Sequence, residues 1–124
     1  MSDIKVWLGE DGVMRVEYPR HATVTLADVT DEYNQRTEIS KKKCPLLVIL
    51  HGLAIFSEEA QTFLRGTEHG AITGAAAILV DPEAGYYEHS IILIDSFRTS
   101  NVLPFDLKVF EDEQSALRWL KNYL

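Results

Sequence analysis

Hydrophobic and polar positions follow two different patterns along the chain, and these patterns predict its strands. Residues 46–50 are five apolar positions in a row, which favours a strand covered on both faces. Residues 75–80 form a second run of the same kind. Residues 4–9 and 13–18 instead alternate apolar and polar positions on either side of an Asp-Gly pair, which is typical of an antiparallel hairpin.

Helical spacing of apolar positions begins after the hairpin. Thr25 and Asp28 have the spacing of a capping box, and they predict a helix that starts at Leu26. Its apolar residues predict the buried face, which comprises Leu26, Val29, Tyr33 and Ile39. Its polar residues predict the exposed face, which comprises Thr30, Asp31, Glu32, Gln35 and Arg36.

A second helix is predicted to follow the strand at residues 46–50. Ser57 is a typical N-cap residue, and Glu58 and Glu59 suit the positive end of the helix dipole. Gly70 is the expected C-cap. The loop before Ser57 therefore lies at the carboxyl end of a central strand, where ligands bind in many α/β proteins.

The last third of the chain repeats the strand–helix alternation. Asp81 is an expected N-cap for a helix over residues 84–99, and residues 107–110 are predicted to form a short strand. Asp112 is expected to cap a final helix, whose predicted inward residues are Ala116, Leu117, Leu120, Tyr123 and Leu124.

The order β-β-α-β-α-β-α-β-α predicts the fold class. Alternating helices imply right-handed crossovers and a parallel arrangement. We therefore expect a single α/β domain over residues 1–124, with a mixed, mostly parallel sheet of about five strands. The N-terminal antiparallel hairpin and about four helices complete it.

Charge and composition narrow the function classes. The chain has 124 residues and a formal net charge of −7, which argues against nucleic acid as a partner because phosphate binding needs clustered cations. One cysteine, Cys44, leaves no internal disulfide or cysteine metal cluster. There is no apolar run of transmembrane length and no secretion signal at the start. A cytoplasmic protein without integral membrane association is expected.

Residues with catalytic or metal-binding chemistry do not form a known motif. Ser57, His51 and Asp81 are predicted at one sheet edge and form the candidate set for acyl transfer, but no G-x-S-x-G elbow surrounds the serine. The four histidines lack the spacing of zinc ligands. We therefore expect no catalytic residues, no metal and no cofactor.

Aromatic residues supply a candidate for a pocket or an interface. Tyr86 and Tyr87 are adjacent at the start of a predicted helix, and they cannot both face its buried side. Phe97 lies near the end of that helix, and Phe56 lies in the loop before Ser57. These residues could mark a homodimer contact, a surface for a protein partner, or a groove for a small apolar ligand.

The C-terminal pattern points to a family. Its residues are Phe110, Glu111, Asp112, Ala116, Leu117, Trp119 and Leu120. Together with the hairpin and the two strand–helix units, this pattern resembles the STAS-like superfamily, whose fold is that of bacterial anti-sigma-factor antagonists. The chain looks similar to a branch of small stand-alone bacterial proteins of largely unassigned function. Nearly the whole chain takes part in the resemblance.

The resemblance implies a regulatory, non-catalytic protein. Antagonists of this fold are switched by phosphorylation of a serine after the central strand, and Ser57 occupies that position, with Phe56 where those proteins have an aspartate. The implied partner surface comprises Leu53, Ile55, Phe56, Glu58 and Glu59. The alternative is a module that binds a small molecule or lipid near Tyr86, Tyr87 and Phe97.

Overall fold

The structure is a computed structural model in which residues 3–20, 22–81, 83, 87–99 and 103–124 are described. Its elements follow the predicted alternation of strands and helices. In chain order they are β1 (Lys5–Leu8), β2 (Met14–Glu17), β3 (Thr23–Val24), α1 (Leu26–Ile39), β4 (Cys44–Leu50), β5 (Ile55–Phe56), α2 (Glu58–Leu64), α3 (Thr67–Ala71), β6 (Thr73–Val80), α4 (Tyr87–Thr99), β7 (Asp106–Phe110) and α5 (Glu113–Leu120), followed by a 3₁₀ turn at Lys121–Tyr123.

A five-stranded sheet in the order β1-β2-β4-β6-β7 forms the centre of the fold. The first two strands pair antiparallel, and each of the other neighbouring pairs is parallel. The predicted fold class, a mixed and mostly parallel α/β sheet with an opening hairpin, is therefore confirmed.

The hairpin turn depends on Asp11 and Gly12. Gly12 has a φ of 84°, in the left-handed region that other residues rarely adopt. Asp11 Oδ1 accepts hydrogen bonds from the main-chain N–H of Val13 at 3.1 Å and from Nη1 of Arg15 at 2.8 Å. The hydrogen bond from Arg15 is the main reason that the pKa of Asp11 falls to about 2. The turn is thus held by its own side chains.

The two faces of the sheet pack against different helices. Ala75 and Ala77 of β6 belong to a buried cluster that includes Ala116 of α5. Their neighbours Ala76 and Ile78 belong to a second cluster, which includes residues of α1 and α2. Successive strand residues point to opposite faces, so alanines of β6 pack in the hydrophobic layers on both sides of the sheet.

Three predicted helix caps are confirmed. The side chains of Thr25, Ser57 and Asp112 each accept a hydrogen bond from the main-chain N–H three residues ahead, at Asp28, Ala60 and Ser115. The Asp28 carboxylate also accepts a hydrogen bond from the Thr25 main-chain N–H at 2.9 Å, which completes the capping box.

The second helix ends earlier than predicted, and the expectation that Gly70 ends it is wrong. Helix α2 stops at Leu64, and α3 begins at Thr67 after Gly66. Gly70 lies inside α3, where a Cβ atom would clash with the ring of Pro104. The glycine therefore serves a close packing contact and not a helix end.

The buried face of α1 also differs from the prediction. Glu32 and Arg36, expected outside, are 2% and 1% exposed, whereas Leu26 and Ile39, expected inside, are 44% and 42% exposed. Val29, Glu32 and Arg36 are spaced three and four residues apart, so they share one side of the helix. The helix orientation that buries Val29 therefore buries both charged residues.

The C-terminal pattern that carries the family resemblance has a structural role. The rings of Phe110 and Trp119 lie 5.6 Å apart between their centroids. Ala116 and Leu120 are fully buried as predicted, but Leu124 is 65% exposed. The expectation that Leu124 faces inward is wrong because α5 ends at Leu120 and the 3₁₀ turn does not keep the α-helical spacing.

A second, two-stranded sheet that was not predicted lies before α2. Strands β3 and β5 pair in parallel, with Thr23 opposite Ile55 and Val24 opposite Phe56. Two residues are too few for an alternating pattern to be recognised. This pairing holds the segment before Ser57 against the segment before α1.

The predicted helix over residues 84–99 is present from Tyr87 to Thr99. Residues 82 and 84–86 lie outside the described ranges, and so does the predicted start of the helix. Asp81 Oδ1 accepts a hydrogen bond from the main-chain N–H of Glu83 at 2.9 Å. Neither α4 nor another helix in the described ranges is long and apolar enough to span a membrane.

Candidate functional site

A cavity of about 420 Å³ lies between the sheet and helix α4. Its floor follows the register of the sheet, in which Leu46 of β4 pairs with Ala76 of β6, and Ala76 pairs with Leu107 of β7. Ile94 and Phe97 of α4 line the opposite side. Ala76 is the small residue in the middle of the floor, so the space above it is left for an occupant.

Aromatic residues from separate parts of the chain line this cavity. Phe97, predicted for a pocket or an interface, is one of them, and the others include Tyr18, Phe56 and Phe105. The Phe56 ring packs against the ring of Tyr18, with centroids 5.5 Å apart. Tyr86 lies outside the described residues, and only the main chain of Tyr87 is described.

An acidic side chain is buried at the cavity wall. Glu32 Oε2 accepts a hydrogen bond from the Tyr18 hydroxyl at 2.6 Å, and both residues line the cavity. Burial raises the pKa of Glu32, while the Tyr18 hydrogen bond and the Arg36 charge partly offset that rise. Burial, together with the Glu32 charge, raises the pKa of Tyr18. The phenol therefore keeps its proton and continues to donate.

Arg36 joins α1 to α3 and β6. Its Nη1 donates a hydrogen bond to Nε2 of His69 at 3.0 Å. Its Nη2 donates to the carbonyl oxygen of Ile72 at 3.0 Å and to Oγ1 of Thr73 at 3.1 Å. Burial lowers the pKa of Arg36, and the Glu32 charge opposes that effect. The guanidinium remains charged because its ordinary pKa lies far above neutral pH.

His69 is a neutral hydrogen-bond donor at the cavity. Arg36 can only donate, so Nε2 of His69 accepts and the imidazole proton is on Nδ1. Burial, followed by the Arg36 charge, lowers the pKa of His69 to about 3, and a main-chain contact with Leu64 opposes this. Nδ1 makes no hydrogen bond of regular geometry with the described residues. His69 lines the cavity, so this N–H can serve a bound molecule.

Ser90 of α4 is the second polar group at the cavity without a partner. It is 4% exposed and lines the cavity. Its Oγ makes no hydrogen bond to the part of the chain that the structure describes. A buried hydroxyl without a partner costs about 1–3 kcal/mol. A molecule that bonds to Ser90 would recover that energy.

Because the cavity lies on one face of β6, we expect leucine substitutions at two neighbouring alanines of this strand to have different effects on stability. Ala76→Leu places its added carbons in the cavity, so the free energy of unfolding should stay equal or rise by up to about 1 kcal/mol. Ala77→Leu inserts the same atoms into the packed layer under α5. This substitution should lower the free energy of unfolding by about 1–3 kcal/mol. Urea denaturation measures both values. Equal losses for the two variants would contradict the presence of a cavity above Ala76.

The predicted phosphorylation site lies at the start of α2. Ser57 is half-buried, and its Oγ accepts a hydrogen bond from the main-chain N–H of Ala60 at 3.1 Å. Of the predicted partner-binding residues, Ile55 is 53% exposed; Glu58 and Glu59 are also exposed, whereas Leu53 and Phe56 are half-buried. The exposed members of this set form an acidic surface with one apolar residue.

The candidate acyl-transfer residues have other partners. His51 Nε2 hydrogen-bonds to Oε2 of Glu17 at 2.6 Å. Ser57 Oγ caps α2, and Asp81 Oδ1 accepts a hydrogen bond from the main-chain N–H of Glu83. Within the described ranges no hydrogen bond joins Ser57, His51 and Asp81 to one another. The arrangement therefore lacks the serine–base contact that nucleophilic catalysis uses.

Comparison with known proteins assigns the chain to a family. The model of DUF7793, a domain of unknown function, matches residues 6–124. The chain belongs to the DUF7793 family. No curated protein matches it.

A solved structure is similar to this DUF7793 domain. It is the crystal structure of an uncharacterised protein of the DUF3478 family, with a SpoIIAA-like fold, from Shewanella loihica PV-4. The similarity covers 94% of this chain and 91% of that chain, with a TM-score of 0.52 and 21% sequence identity. It confirms the predicted STAS-like fold and concerns the fold alone.

Three residues of the cavity were not predicted as site residues from the sequence. Glu32 was assigned to the exposed face of its helix, although its spacing from Val29 was an available signal. His69 was considered among the four histidines, which lack the spacing of zinc ligands. Ser90 carries no pattern of its own, since a serine within a helix is more often solvated than buried without a partner.

Proposed function

We propose that this DUF7793 domain binds a small, largely apolar molecule in the cavity under α4 and does not act as an enzyme on it. The observation that supports this function is the cavity itself. Its volume of about 420 Å³ falls within the roughly 300–1,000 Å³ of small-molecule sites. Apolar walls with a few fixed polar groups are typical of such sites, and the polar residues here include Glu32, His69 and Ser90.

The energetics of the cavity favour an occupant. The cavity is lined mainly by apolar side chains and opens to solvent, so without a ligand it holds water against apolar walls, which is unfavourable. Ordered water needs two to four polar partners, and the floor of Leu46, Ala76 and Leu107 offers none. A molecule with an apolar body therefore matches the cavity better than water does.

The direct test uses octanol as the probe and methyl-labelled protein in an NMR titration. Methyl signals of Leu46, Ile78 and Ile94, which line the cavity, are expected to shift with saturation. Methyl signals of Leu47 and Leu120, which lie in the cluster on the α5 side, serve as the internal control and should not shift. Absence of saturable shifts, or equal shifts on both sides of the sheet, would contradict ligand binding in the cavity.

A second function is proposed for the acidic surface around α2, namely regulated binding of a protein partner. The exposed Ile55 beside the exposed Glu58 and Glu59 supports it. Ser57 lies between them along the chain, and phosphorylation would add about −1.5 to −2 charges there. Repulsion from the two glutamates would change the surface that a partner meets. The resemblance to anti-sigma-factor antagonists is the source of this proposal.

The Ser57→Asp substitution tests that regulation. Aspartate is also a good N-cap residue, so the free energy of unfolding should change by less than about 1 kcal/mol. We expect wild type and the variant to capture different proteins from a native lysate, as identified by mass spectrometry. Thr62→Asp adds the same charge one turn later on the exposed side of α2 and is the matched control. If all three baits captured the same proteins, regulation of partner binding at Ser57 would be contradicted.

A further inference from the structure

The polar groups around the cavity restrict the charge of its occupant. Resting on the proposed function, we propose that the ligand is a neutral amphiphile, with an apolar body and one hydroxyl, carbonyl or amide group that bonds to Ser90 and His69. A ligand with an ionised head, such as a fatty acid or an alkyl amine, is excluded from this site by the charges that already surround it.

An anionic head has no cation to meet at the cavity wall. Within the described ranges, the ionisable residues that line the cavity are Tyr18, Glu32 and His69, and neither lysine nor arginine is among them. His69 is uncharged at neutral pH, and Glu32 would repel a carboxylate. Burying a charge without a partner is costly, so an anion binds here much more weakly than a neutral molecule of the same length.

A cationic head competes with a charge that is already in place. Arg36 lies one turn from Glu32 on α1 and attracts its carboxylate. It is fixed by hydrogen bonds to His69, Ile72 and Thr73. An ammonium beside Glu32 would lose its water shell and would also be repelled by the guanidinium. Glu32 therefore does not serve as an open anionic site.

Neutral polar heads match Ser90, which has no partner, and His69, whose N–H makes only an irregular contact with the main chain of Leu64. His69 Nδ1 carries a proton and can donate to a ligand oxygen of better geometry. Ser90 Oγ can donate or accept. Both residues line the cavity and are more than nine-tenths buried, at 3% and 4% exposure. A ligand oxygen that reaches either group removes an unsatisfied polar atom from the interior.

The experiment compares octanol, octanoate and octylamine by isothermal titration calorimetry at neutral pH. The three probes share one apolar body and differ in the charge of the head. We expect octanol to bind at least about ten-fold more tightly than either charged probe, a difference of roughly 1.4 kcal/mol. Octanoate or octylamine binding as tightly as octanol would overturn the inference while leaving the cavity as a binding site. Failure of all three to bind would contradict the proposed function itself.

Ser90→Ala tests the polar contact with little change of volume. Loss of one hydrogen bond should weaken octanol binding by about five-fold. The matched control is Ser115→Ala on α5, which lies in the layer on the other side of the sheet and should leave octanol affinity unchanged. Unchanged octanol affinity in Ser90→Ala would overturn the role assigned to this hydroxyl.

Discussion

Replacing Arg36 by methionine should lower the free energy of unfolding by about 3–5 kcal/mol, because it breaks a buried charged network from one side. The substitution removes hydrogen bonds to His69, Ile72 and Thr73. It also leaves the Glu32 carboxylate buried without its compensating charge. Urea denaturation followed by circular dichroism measures the effect.

Two further variants show whether the loss comes from the network. Arg118→Met removes an exposed arginine near the end of α5 and should change the free energy of unfolding by no more than about 0.5 kcal/mol. Glu32→Met combined with Arg36→Met removes both buried charges and should recover a large part of the loss. A double variant as unstable as the sum of the two single variants would show that Glu32 and Arg36 are not coupled.

Acidification should destabilise the fold through His69. The pKa of its imidazole is 6.5 ordinarily and about 3 in the folded chain, mainly because of burial. Between these values the unfolded chain binds a proton that the folded chain does not. The free energy of unfolding should therefore fall as the pH drops through this window, at up to about 1.4 kcal/mol per pH unit.

His69→Gln isolates that contribution. The glutamine side chain is uncharged at every pH, and its carbonyl oxygen can accept the hydrogen bond from Arg36. Glu32 has the opposite effect on stability, since its raised pKa favours the folded state as the pH falls. Both proteins contain Glu32, so its contribution is the same in each. The stability difference between wild type and the variant should shrink or reverse on acidification. A difference that stays constant with pH would contradict a neutral buried imidazole.

The fold was predictable because its signals are local. Apolar runs fixed β4 and β6 to within two residues, and Thr25, Ser57 and Asp112 marked three helix starts. The errors occurred where tertiary packing overrides local preference. Leu26 and Ile39 are exposed, and Glu32 and Arg36 are buried. The partners of the two charged residues lie elsewhere in the chain, since Tyr18 bonds to Glu32 and the segment from α3 to β6 bonds to Arg36.

The candidate site was only partly predictable. Phe97 was one of the aromatic residues predicted for a pocket or an interface, and it lines the cavity. The cavity floor depends on the pairing of Leu46, Ala76 and Leu107 across three strands, and strand register of this kind cannot be read from one chain. Ser90 gains its importance only from the hydrogen-bond partner that it lacks, and His69 from its place between Arg36 and the cavity.

Binding of octanol to wild type, Ala76→Leu and Ala77→Leu tests the central claim most directly. The added leucine carbons at position 76 occupy space that the ligand would use. Displacing about two CH₂ groups of the probe from burial costs roughly 1.6 kcal/mol, or more than ten-fold in affinity. We predict that Ala77→Leu binds octanol as wild type does and that Ala76→Leu binds it about ten-fold more weakly. Equal affinity in all three proteins, or no binding to wild type, would contradict the account.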